Sequence, residues 1–163
     1  MKQFIMINGT MGAGKSTISA LLNQRLSNSV WLDGDWCWMA DPFVVTDCTK
    51  RMVIGNIVYL LQSFLQEAAY EHIIFCWVMD QQDIIDDIIN RLSLSDISLS
   101  MFTLMPSAAQ LTKQIQADPK RSAQDLVHSL QRCRSYEALS TIKVYTDGKS
   151  LESIAAEIQE MIA

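Results

Sequence analysis

Residues Gly9, Thr10, Met11, Gly12, Ala13, Gly14, Lys15 and Ser16 read G-T-M-G-A-G-K-S. This is a full match to G-x-x-x-x-G-K-[ST], the loop that cradles a nucleoside triphosphate. Glycines let the main chain approach phosphate closely, so that backbone N–H groups converge on it. Lys15 is placed to reach the β- and γ-phosphates, and the Ser16 hydroxyl to ligate Mg²⁺. Thr17 falls where an α-phosphate contact is possible; a plain first-turn helix residue is the alternative. The chemistry expected is binding of a nucleoside triphosphate with Mg²⁺ and handling of its terminal phosphate.

A second group lies further along the chain. Leu32-Asp33-Gly34-Asp35 places two carboxylates one residue apart. At the carboxyl end of a parallel strand they lie near the γ-phosphate. One carboxylate can then take or orient the proton of an acceptor hydroxyl, while the other organises Mg²⁺ through water. The alternative is a simple turn, since Asp-Gly is a common turn pair. Asp80 closes an apolar run, where an acid can hold Mg²⁺ through water or merely cap the next helix.

These residues need elements to position them. Lys2 to Asn8 is a short run fit for a buried strand, and Thr17 to Leu26 carries apolar residues at helical spacing. Strand, glycine loop, helix is the context the motif requires. Further strands are expected at Ser29–Asp33, Ile73–Met79, Leu99–Leu104 and Ser140–Thr146. Helices are expected over 50–70, 82–92, around 106–116, over 123–133, and after Ser150 as a cap. Trp36 to Thr49 lacks a clear period and contains the turn signal Asp41-Pro42. Five strands alternating with helices predict a three-layer α/β/α arrangement on a mainly parallel sheet, as one domain over 1–163.

Composition narrows the function classes. The chain has 163 residues, 49% of them hydrophobic and 19% charged, which suits a folded domain and not a disordered tail. A net charge of −5 without a basic stripe argues against a nucleic-acid partner. No apolar stretch is long enough for a membrane span, and the first strand begins too early for a signal peptide. Cys37, Cys48, Cys76 and Cys133 show no C-x-x-C spacing, so reduced thiols in a cytoplasmic protein are expected.

The order G-T-M-G-A-G-K-S, L-D-G-D, an apolar third strand, an arginine-bearing segment and a final strand and helix resembles the small P-loop kinases. Shikimate, gluconate, adenylylsulfate and nucleoside monophosphate kinases share that order, and L-D-G-D is most similar to the gluconate and adenylylsulfate enzymes. The resemblance implies the P-loop NTPase fold, strand order 2-3-1-4-5 and phosphoryl transfer from ATP to a small-molecule or nucleotide acceptor. By the same resemblance Asp35 serves the acceptor hydroxyl and Asp33 serves Mg²⁺. It also implies a mobile lid over 117–134, whose Arg132 and Arg134, with Lys120 and Arg121, clamp the transferring phosphate. Asp35 is followed by Trp36-Cys37-Trp38, where adenylylsulfate kinases carry asparagine and arginine, so no acceptor specificity transfers. Trp36, Trp38 and Phe43 can stack on a flat base or simply pack the core; Arg51 can meet an acidic group or merely begin a helix. A nucleotide hydrolase and a nucleotide-dependent switch or binding protein are the competing readings. The acidic pair favours a kinase, because a hydrolase needs no acceptor cradle.

Overall fold

The computed structural model describes residues 1–162. Its strands are β1 (Lys2–Asn8), β2 (Ser29–Asp33), β3 (His72–Cys76), β4 (Ile97–Met105) and β5 (Ile142–Tyr145). Its helices are α1 (Lys15–Arg25), α2 (Asp47–Gln66), α3 (Gln82–Asn90), α4 (Ala108–Ala117), α5 (Ala123–Glu137) and α6 (Leu151–Ile162), with a short 3-10 helix at Gly34–Trp38. The strands form one five-stranded sheet in the order β2-β3-β1-β4-β5, every neighbouring pair parallel. This is the strand order the resemblance implied.

Alternation along the central strands builds two cores. Phe4 and Met6 of β1, with Ile73 and Phe75 of β3, face a layer containing α2, α3 and the end of α5. Ile5, Ile7, Ile74 and Cys76 point the other way, onto α1 and α6. The period-two geometry of a strand makes this split unavoidable once both faces are covered. Side chains such as Phe4, Ile5, Ile7, Ile73 and Phe75 have no solvent exposure, and each fully buried apolar residue contributes about 1.5–3 kcal/mol.

Element boundaries depart from the sequence expectations for identifiable reasons. The third apolar run predicts strand through Met79, yet its ladder stops at Cys76, opposite Ile7 on one side and Asp33 on the other. Beyond it β2 passes into the 3-10 helix at Gly34, and after the Trp77 N–H bond to the Ile7 carbonyl at 3.3 Å residues 78–80 leave the sheet, Met79 bonding the Asn8 side chain. Helix α2 starts at Asp47, earlier than the apolar period begins, because Thr46 and Thr49 form a reciprocal capping box. Ser150 caps α6 as expected, accepting from the backbone N–H of Ser153 at 3.1 Å. The expected lid stretch is mostly helix: α5 continues to Glu137 and buries Tyr136, leaving 118–122 as its non-helical part.

Candidate active site

The strand β1 ends in Asn8, whose side chain fixes the path of the phosphate loop. Asn8 is 1% exposed. Its Oδ1 accepts from the N–H of Gly9 at 2.8 Å and of Met79 at 2.9 Å, and its Nδ2 donates to the Met79 carbonyl at 2.7 Å. One buried amide therefore ties the start of the phosphate loop to the segment after β3. Sequence reasoning missed this role; the available signal was a lone polar residue closing a buried strand.

Gly9, Gly12 and Gly14 all hold positive φ, at 148°, 84° and 92°. Gly12 is constrained twice, since a Cβ there would also stand 2.7 Å from Cγ1 of Ile115 on α4. Ala13 is buried among the residues that pack with α1 and α6. Helix α5 clasps the loop from above: Thr10 Oγ1 donates to the Ser129 carbonyl at 3.3 Å, and Ser129 Oγ donates to the Met11 carbonyl at 3.2 Å.

Lys15 opens α1 and is buried, its Nζ donating to the Thr10 carbonyl at 3.0 Å. Desolvation pushes its pKa down from 10.5 to about 8, with Asp35 and Asp33 pulling the other way. A buried cation with one neutral acceptor is a poised anion receptor, at the N-terminal end of a helix dipole. Ser16 Oγ donates to Asp33 Oδ2 at 2.6 Å, and Asp33 Oδ1 accepts from the N–H of Asp35 at 3.0 Å. Asp35 Oδ1 in turn accepts from the indole Nε1 of Trp77 at 3.1 Å. Trp77 reaches this position because Gly34 lacks a side chain; a Cβ at Gly34 would lie 2.4 Å from Trp77 Cγ.

Around these groups lies a pocket of about 420 Å³, within the range that holds small-molecule ligands. The loop residues Met11, Gly12, Gly14, Lys15, Ser16 and Thr17 form its floor. Asp33, Asp35, Trp77 and Val78 form one flank, and Gln114, Asp118 and Arg121 of the α4–α5 region the other.

The remaining candidates stand elsewhere. Asp80 is not on the pocket wall; its Oδ2 meets Arg132 Nε at 3.4 Å, so two residues expected to serve phosphate and metal serve each other. Residues 78–80 leave the sheet before Asp80 can align with Ser16, which is why Asp33 and not Asp80 meets the serine. Arg134 is exposed on α5. The arginine on the pocket is Arg121, paired with Asp118 at 3.5 Å. Arg51 is exposed on α2 and donates to Cys48 Sγ at 3.3 Å. Trp36 packs against Trp31 and Trp38 against Phe43, each pair tilted with ring centroids 4.8 Å apart, while Trp36 and Phe43 stay 53% and 59% exposed. Both pairs thus combine packing with an open aromatic face. Among the described residues no helix is long and apolar enough to cross a membrane.

Comparison with known proteins agrees with this fold. The AAA domain family matches residues 5–126, about three quarters of the chain. No curated protein matches the sequence. Among solved structures, the tunicamycin resistance protein of Deinococcus radiodurans superposes with a TM-score of 0.78 at 18% identity, covering 100% of this chain and 96% of that one. A sugar kinase from Janibacter sp. gives 0.75 at 15% identity, with 100% and 96% covered. A gluconokinase from Sinorhizobium meliloti gives 0.71 at 14%, with 98% and 93% covered. With its glycine loop, its lysine and its parallel 2-3-1-4-5 sheet, the chain belongs to the AAA domain family and has the fold of the small P-loop kinases.

Proposed function

We propose that this protein is a single-domain phosphotransferase that moves the γ-phosphate of ATP to a hydroxyl on a small molecule. The observation that carries the reading is the hydrogen-bonded run Ser16–Asp33–Asp35–Trp77 beside the phosphate loop. It leaves an exposed carboxylate next to the place where the terminal phosphate would end. The kinases among the structural neighbours support the class of reaction and leave the acceptor to be read from this chain's own residues.

The roles follow from the geometry. Loop N–H groups and Lys15 hold the triphosphate, and Lys15 stabilises charge that spreads over the transferring group. Ser16 and Asp33 supply hard oxygen donors already 2.6 Å apart, a set that fits Mg²⁺ bound through one side chain and through water. When bound, that ion neutralises phosphate charge. Asp35, held through Oδ1 by Trp77, has Oδ2 to accept the acceptor's proton. Of the basic residues expected to clamp phosphate, Arg121 takes the role in place of Lys120, Arg132 and Arg134, because it alone of the four lines the pocket. The lid shrinks to the turn around residues 118–122, since Ser129 fixes α5 to the loop.

The test is ADP release over a panel of nucleosides, nucleoside monophosphates, sugar acids and alicyclic alcohols, scored against the acceptor-free rate. Phosphotransfer requires at least one compound to accelerate release and to appear phosphorylated by mass. Rapid ADP release with no acceptor dependence would instead establish a hydrolase.

A further inference from the structure

The sheet order sorts the charges of the pocket. Phosphate loop and Lys15 follow the central strand β1, and Arg121 comes from the segment beyond β4. The opposite flank, at the tips of β2 and β3, presents Asp33, Asp35, Trp77 and Val78: two carboxylates, an indole and an isopropyl group, with no cation. The chain leading away from this flank continues the pattern. Between Asp35 and Asp47 the only charged residue is Asp41. That run instead exposes Trp36, Met39, Phe43, Val44 and Val45. The first cations beyond it, Lys50 and Arg51, are exposed on α2 and do not line the pocket.

Resting on the kinase reading above, we propose that the acceptor is an uncharged or cationic alcohol with an apolar or aromatic body, and not an anion. Lys15 and Arg121 are the cations of the pocket among the described residues, and both stand on the triphosphate side. Against them are set Asp33, Asp35 and Asp118. A carboxylate or phosphate on the acceptor would therefore lie beside two like charges and a polyanionic nucleotide, without a donor cation to desolvate against. A neutral body meets no such penalty. It gains apolar contact with Trp77 and Val78 while its hydroxyl meets Asp35. A protonated amine gains further from the two carboxylates and from the indole face.

Matched pairs test this on the whole protein. Thymidine and thymidine monophosphate, and methyl shikimate and shikimate, differ in the anionic group; 2-amino-1-phenylethanol supplies a cationic aryl alcohol. Each is titrated with Mg²⁺ and a non-hydrolysable ATP analogue present, reading tryptophan emission, and separately with ATP, reading ADP. The expected result is that the neutral or cationic compounds bind at least about tenfold more tightly than the anionic member of each pair, a difference set by one unfavourable buried charge. Anionic members binding as well or better, or no response to any neutral or cationic compound, overturns the proposal. Neutral binding without ADP release upholds this charge preference and sinks the phosphotransfer reading. ADP release confined to the anions does the reverse. Val78→Arg supplies the missing cation and should raise affinity for the anionic members about tenfold; a folded variant that still refuses them shows that charge is not the discriminator. The wild-type pairs decide the matter if that variant does not fold.

Discussion

Lys15 combines a functional asset with a structural cost. Buried with its pKa pushed down to about 8, it is destabilising in the absence of nucleotide. Lys15→Met should abolish phosphotransfer yet stabilise the nucleotide-free protein at pH 7, by about 1–3 kcal/mol. The pH dependence has a definite sign. Below pH 8 the lysine is charged in folded and unfolded chains alike, and the full desolvation cost applies. Between 8 and 10.5 the folded protein sheds the proton while the unfolded one keeps it, so the cost fades. The stability advantage of the variant should shrink across that window in thermal melts. Asp35→Asn keeps an acceptor for Trp77 but loses basicity, and should lower turnover by roughly 10²–10⁴-fold with little change in ATP affinity. Calorimetry and steady-state rates on the same preparation separate the two effects. The loop, Lys15, Ser16 and the acidic pair were legible in the sequence because their spacing is local. Asn8 and Trp77 were harder to assign, and Arg121 harder to tell from its basic neighbours, because these roles depend on which distant segments the topology brings together. Asp80 illustrates the limit: its position in the chain suits a metal, and only the path of residues 77–80 sends it to Arg132.

Elements rather than residues determine how Asp35, the proposed base, is aimed. The 3-10 helix after β2 and the loop after β3 touch where Trp77 lies over Gly34. Gly34→Ala must displace the indole, releasing Asp35 from its hydrogen bond. The expected outcome is a fall in kcat of roughly tenfold or more with ATP binding unchanged, accompanied by a shift in tryptophan emission. Retention of full kcat would show that the indole does not orient Asp35. On the other flank, backbone exchange should slow on addition of ATP within 118–122 and change little around Ser129, which is already fixed to the loop. Slowing that extends uniformly through α5 would argue for a larger moving unit. The number of strands and helices followed from periodicity, and the strand order from the family resemblance. The start of α2 followed from neither, because Thr46 sets it through a side-chain cap that hydrophobic spacing does not report.

At the scale of the whole molecule, the phosphate loop joins both cores: Ala13 packs on the α1–α6 side, and α5, which clasps Thr10 and Met11, anchors Tyr136 on the other. Nucleotide binding should therefore stabilise the whole fold and not a corner of it. Mg²⁺–ATP at about 100 times its Kd should add about 2.7 kcal/mol to the unfolding free energy, read as a single shifted thermal transition. A nucleotide that sharpened only part of a biphasic melt would contradict this.

The stretch from Met39 to Cys48 is exposed at every residue. Apart from Phe43, which packs on Trp38, and Thr46, which caps α2, it makes few demands on the cores, and they place few demands on it. Substitutions there are not filtered by folding, whereas almost every change at the phosphate loop is. Over generations such a chain can wander in what it recognises while keeping fixed how it handles the nucleotide. Divergence among its descendants should accumulate first on this strip, giving a lineage of one chemistry and many clients. Exchanging residues 39–42 for an unrelated sequence of equal length, which leaves Phe43 on Trp38 and the Thr46 cap of α2 in place, should leave the melting temperature within a few degrees and alter only the choice of acceptor.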